Sequence, residues 1–130
     1  QYPIVNSVYV DDSTYEKWSS VENYWQNDPK VLISQSSTYN PFYDSGEYGF
    51  TQNVTALIFD DKKKAKSSAS VLSNKLYRYL VEIQKMGPAI SPQSLQNLPK
   101  VDLDKDWTDE ELYDHFNLSD DEIKEIESFV

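Results

Sequence analysis

Cysteine is absent from these 130 residues. That excludes disulfides, thiolate metal sites and thiol nucleophiles. Histidine occurs once, as His115, so a histidine-based metal site or a Ser-His-Asp triad has a single residue to draw on. Of the three glycines, Gly46, Gly49 and Gly87, none forms a G-x-G turn of the kind that cradles a dinucleotide. No apolar run approaches the ~20 residues that a membrane-spanning helix needs. The chain begins at Gln1, without a charged-then-apolar leader behind it, and is expected to be a processed protein or a piece of a longer one.

What is present describes a folded domain. Hydrophobic residues make up 38% and aromatics 14%, ten of them Tyr, which is too much apolar surface for a disordered tail. The length suits one domain, 1–130, and not two. Lack of cysteine fits a reducing compartment, so a cytoplasmic location is expected. The net charge of −10 is unevenly spread. Residues 1–61 hold nine acids and two bases, residues 62–100 eight bases and one acid, and residues 101–130 twelve acids and two bases. The middle of an acidic protein therefore has the charge of a polyanion-binding segment. Alternatively, the basic middle and acidic tail neutralise each other.

YPIVNSVYV (2–10), VLISQSS (31–37) and FTQNVTALIF (50–59) read as strands by their β-branched and aromatic content. YEKWSSVENYW (15–25) fits either a helix or a strand. STYNPFYDSGEYG reads as a loop. Asp60 and Asp61 stand where an N-cap favours acids. Ala65, Ala69, Leu72, Leu76, Tyr79 and Ile83 then recur at helical steps, predicting one long helix, 61–86, ended by Gly87-Pro88. Residues 89–103 read as an extended connector with a short turn near 94–97. Thr108…Glu111 and Ser119…Glu122 are capping boxes, each with a staple pair, Trp107 with Leu112 and Leu118 with Ile123. They predict two short helices, 108–116 and 119–129. The expected class is α+β, with a small, mostly antiparallel sheet packed on the long helix in 1–100, and an acidic helical pair in 101–130. Tyr77, Tyr79, Leu80, Ile83, Trp107, Leu112, Phe116 and Ile123 are the expected core.

Two stretches carry a resemblance. KVLISQSSTYNPFYDSGEYGFTQNV, followed by the basic segment and LPKVDLDKDWTDEELYDHFNLSDDEIKEIE, resembles the C-terminal target-recognition region of type II restriction–modification N6-adenine DNA methyltransferases. WTDEELYDHFNL is its most specific part, and the likeness runs from about Lys30 to the end. The resemblance implies a non-catalytic module that positions an enzyme on double-stranded DNA. The catalytic domain would lie upstream in the same parent chain and bind S-adenosylmethionine there. NPFY (40–43) echoes the Asn-Pro-Pro-Tyr catalytic loop of that family, but Phe42 replaces the second proline. Some 39 residues before it cannot supply a cofactor-binding sheet. No catalytic residue, cofactor or metal is therefore assigned to this chain.

The residues themselves point to DNA as well. Lys62, Lys63, Lys64, Lys66, Lys75, Arg78 and Lys85 supply charge for phosphates. Ser36, Thr38, Tyr39, Asn40, Tyr43, Gln52 and Asn53 supply short polar and planar groups for base edges. Asp60-Asp61 followed by lysines is a faint nuclease pattern that a helix N-cap explains better. Asp102, Asp104 and Asp106 begin like a calcium loop, yet Trp107 stands where its glycine belongs and Tyr113 where its glutamate belongs. Two other readings are a protein-interaction module docking through the acidic helical pair, and an acidic DNA mimic. Segregated charge disfavours the mimic.

Overall fold

The computed structural model describes residues 2–8, 14–35, 39–85 and 90–129, without the side chains of Ser7, Thr14, Tyr15 and Glu16. Strands β1 (Tyr2–Val8), β2 (Thr14–Ser19) and β5 (Gly49–Phe50) form one three-stranded sheet in the order β2-β1-β5. Strands β3 (Lys30–Ser34), β4 (Phe42–Asp44) and β6 (Val54–Ile58) form a second, in the order β4-β3-β6. All pairs are antiparallel except β1 with β5. Helices α1 (Lys62–Leu72), α2 (Lys75–Gln84), α3 (Pro92–Gln96), α4 (Asp109–His115) and α5 (Asp120–Phe129) complete an α+β fold.

Strand β3 organises the layers. All five of its residues are buried, as expected of a strand covered on both faces. Side chains alternate across a strand, so Leu32 joins Val5, Val8 and Val54 between the two sheets. Val31 and Ile33 join Leu72, Tyr77, Val81, Leu112 and Ile126 on the helical side. The second core draws on every helix, so the acidic C-terminal pair belongs to the same hydrophobic unit as the rest.

The NPFY loop region is built around a buried ion pair. Lys30 and Asp44 face each other across the β3–β4 ladder. Their side chains are 0% and 2% exposed and 2.6 Å apart. Lys30 also donates to the carbonyls of Gln26 and Asp28. Asp44 accepts the backbone N–H groups of Gly46, Glu47 and Tyr48. Every buried charge here is thus matched by donors or acceptors, the condition under which such a pair is tolerated. Gly46 follows at φ +122, where a Cβ would fall 2.6 Å from the carbonyl oxygen of Asn27. Only glycine fits that turn.

Two expectations are corrected. The single helix 61–86 is two helices, broken at Ser73 and Asn74. The Ser73 hydroxyl donates to the Ala69 carbonyl and the Asn74 amide to that of Ser70, the local bonds by which such side chains compete with a helix. Asn74 turns extended, at φ −65 and ψ 154, and α2 restarts behind it. Its first N–H, on Lys75, is capped from another helix by the Asp109 carboxylate at 3.1 Å. The break shifts the phase of the apolar stripe. Leu76, Tyr77 and Val81 are buried, whereas Ile83, expected in the core, is 55% exposed. Tyr79, Leu80, Trp107, Phe116 and Ile123 flank the core half-buried.

Elsewhere the ambiguous segment 15–25 is β2 followed by a turn, and the connector contains α3. The Thr108 capping box has both reciprocal bonds, and so does the Ser119 box.

Candidate nucleic-acid interface

The residues singled out for phosphate contact divide sharply. Lys62, Lys63, Lys64 and Lys66 are exposed on α1, and among the described residues none has an ion-pair partner. On α2 every cation is engaged. Lys75 meets Glu127 at 2.6 Å and Lys85 meets Glu82 at 3.0 Å. Arg78 donates from Nε to the Ser73 carbonyl and from Nη1 to the Tyr39 carbonyl, and lies over the Tyr39 ring. The guanidinium thus satisfies a carbonyl left open by the helix break and ties the NPFY loop to it. The basic middle and acidic tail do meet, but among the described residues only one ion pair joins them, Lys75 with Glu127.

The loop residues are likewise divided. Ser36 and Thr38 lie outside the described residues. Tyr39 is buried and its hydroxyl donates to the Leu72 carbonyl at 2.7 Å. Burial drives that hydroxyl far above its ordinary pKa, so it remains a neutral donor. Asn40 is buried, and Tyr43 is half-buried against the helical core. Gln52 and Asn53 are exposed in the turn before β6, where Asn53 donates to Asn6 Oδ1.

Three of these positions nevertheless meet in one place. Asn40, Pro41, Phe42 and Tyr43 form one wall of a shallow groove of about 550 Å³, and Ala69, Ser70, Ser73 and Arg78 form the other. Helical spacing continues the second wall outward. Lys66 precedes Ser70 by one turn, and Lys62 and Lys63 lie one turn further back on that side. An exposed strip of lysines therefore leads along α1 into a groove lined by Arg78. Ser70 and Ser73 were missed by the sequence reading, because inside a supposed continuous helix they carried no signal. Their spacing from Lys66, four and seven residues, was the available clue.

A second exposed feature lies far from the lysines in sequence. Trp18 (64% exposed), Val21, Tyr24 (84%) and Trp25 cluster around the turn after β2. Gln26 holds that turn in place by donating to the carbonyls of Pro3 and Glu47.

Among the described residues no helix is long and apolar enough to cross a membrane, and no group of three metal-ligating side chains converges. No protein-family model matches the chain, and no curated protein or solved structure matches it.

Proposed function

We propose that this chain is a non-catalytic DNA-binding, target-recognition module of an adenine-specific DNA methyltransferase or fused restriction–modification enzyme. The carrying observation is the strip of exposed Lys62, Lys63 and Lys66 on one side of α1, running into the groove of Asn40, Tyr43 and Arg78. Unpaired lysines in a row along a helix suit a phosphate backbone, where they release condensed counterions. The groove at the end of the strip, with exposed Ser70 on its wall, lies where a backbone so placed brings a sugar or base. The catalytic domain and its S-adenosylmethionine belong to the parent chain, and tethering to it supplements the module's own affinity.

Fluorescence anisotropy of labelled duplex DNA tests the reading. Wild-type protein binds at low salt, and Lys62→Ala with Lys66→Ala weakens binding by about tenfold. Lys75→Ala leaves it within about twofold, because that cation is already paired. Absence of binding by the folded wild-type chain at low salt sinks the proposal.

A second reading is docking on a protein through the acidic helical pair. It rests on the exposed carboxylates of Glu110, Asp114, Asp120, Asp121 and Glu125 and on the exposed ring of Phe129. A DNA-inactive chain that still binds the parent's catalytic domain supports it.

A further inference from the structure

Strand β6 has a free edge. Phe59 N donates to Pro29 O at 2.9 Å and Gln35 N to Asn53 O at 3.0 Å. In an antiparallel ladder this turns the backbone groups of residues 53, 55, 57 and 59 toward β3, and those of Ala56 and Ile58 away from it. Among the described residues no strand pairs with that outer edge, and no backbone bond reaches Ala56 or Ile58 there. An open edge of this kind is normally blunted by charge, proline or a covering element. Here the side chains along it are Thr55, Ala56, Leu57 and Ile58, with no charge among them.

A cleft of about 570 Å³ adjoins the same strand, a size typical of ligand-binding cavities. Its walls are Ala56, Leu57 and Phe59 on one side and Leu95, Leu98 and Val101 on the other, with Val71 and Leu72 of α1 behind. Lys100 is the only charged residue in the lining. Lys64 stands one turn before Ser68, another lining residue, on that side of α1 and away from the DNA strip. Neither lysine has an ion-pair partner among the described residues. A chain of net charge −10 thus presents an apolar slot with a positive mouth along an open strand edge.

We propose that β6 and this cleft receive an extended segment of a partner protein as an added strand. The segment alternates apolar residues, which enter the cleft, with polar ones, and carries a carboxylate that meets Lys100 and Lys64. Backbone pairing to Ala56 and Ile58 supplies affinity, and the cleft and the lysines supply selectivity. The unpaired strand groups favour a peptide over a small apolar ligand, which would leave them unmatched. Positive charge at the mouth favours an acidic segment over a second copy of β6, whose strand residues carry no charge.

The probe is a labelled seven-residue peptide with blocked ends, alternating valine and threonine around one central glutamate. Anisotropy shows saturable binding to the full chain. Ala56→Pro removes only the outward N–H, as edge positions tolerate, and weakens binding by about tenfold. Lys100→Glu weakens it too, and a peptide with central lysine then regains affinity for that variant. Should Ala56→Pro fail to fold, amide hydrogen exchange of the wild-type chain decides. The Ala56 and Ile58 amides gain protection with peptide, whereas the Leu57 amide is protected throughout. No binding, unchanged affinity in natively folded Ala56→Pro, or protection confined to other strands overturns the proposal. So does self-association of the free chain that Ala56→Pro abolishes, which marks a second copy as the occupant. None of these results bears on DNA binding by Lys62, Lys63 and Lys66, which lie on the other side of α1.

Discussion

Helices α1 and α2 are adjacent in the chain and both basic, yet their cations do different work. On α1 the lysines extend into solvent, unpaired among the described residues. On α2 Lys75 and Lys85 hold carboxylates, and Arg78 holds two backbone carbonyls. Buried Lys30 extends the second class into the interior. A count of positive residues treats all of these alike. The fold separates charge that stabilises the protein from charge that remains for a partner, and the boundary between the two is the helix break at Ser73 and Asn74.

Substitutions of the engaged cations test that separation through stability. Lys30→Met leaves Asp44 charged and buried without its partner, and loses about 3–5 kcal/mol, read as a lowered urea midpoint at pH 7. A loss under about 1 kcal/mol would place Lys30 with the surface cations instead. Arg78→Ala opens the Ser73 and Tyr39 carbonyls together and destabilises by about 1.5–3 kcal/mol. Arg78→Lys recovers little of this, because an ammonium cannot reproduce the planar fork that reaches both.

Titration gives a smaller and graded response. Burial pushes the Tyr77 hydroxyl up to about 12 and raises those of Tyr39 and Tyr113 as well. Tyr113 is further raised by its bond to Glu127. Because the folded values exceed the unfolded one, this contribution is whole below the ordinary tyrosine value of 10.0 and drains away as pH rises through the folded values. Thermal melts should therefore fall progressively above pH 10. At the acid end Glu127 is held below the carboxylate range by hydrogen bonds from Lys75 and Tyr113, Glu111 by one from Lys105, and Glu122 by the Ser119 N–H. Their contribution is present above the ordinary 4.5 and lost as pH falls through the depressed values. Glu127→Gln should shallow the acid limb of the stability profile, and an unchanged limb would remove the α2–α5 pairing from the account. Smallest of all, Lys62→Ala with Lys66→Ala should shift stability by no more than about 0.5 kcal/mol. A larger loss would mean that α1 uses its lysines as α2 does.

Local rules made some of this fold legible. The two C-terminal helices follow from capping boxes and staple pairs within five residues of one another, and both form. The strands at 31–37 and 50–59 follow from β-branched runs; β3 starts one residue before the first, and the second holds β6, with Phe50 in β5 of the other sheet. What escaped depended on distant partners. Ser73 and Asn74 are weak helix formers that an apolar stripe on either side outvoted. Their break is completed by Tyr39, Arg78 and Asp109, up to 39 positions apart in hydrogen-bonded pairs. Ile83 was misplaced for the same reason, since its phase was counted across the break. Nothing local in the sequence marks Lys30 and Asp44 as a pair, and only the β3–β4 register puts them face to face. Of the candidate site, the lysines of α1 were legible as a cluster. Tyr39 and Asn40 look like loop readers of bases in sequence, yet their side chains are packed inside.

The most direct measurement is the salt dependence of duplex-DNA affinity for the wild-type chain, for Lys62→Ala/Lys63→Ala/Lys66→Ala, and for Lys75→Ala/Lys85→Ala. Each phosphate contact contributes roughly 0.9 to the slope of log affinity against log salt. The slope should be shallower by about 2 to 3 in the α1 variant and unchanged in the α2 variant. Equal slopes for all three proteins, or a loss confined to the α2 variant, would contradict this expectation.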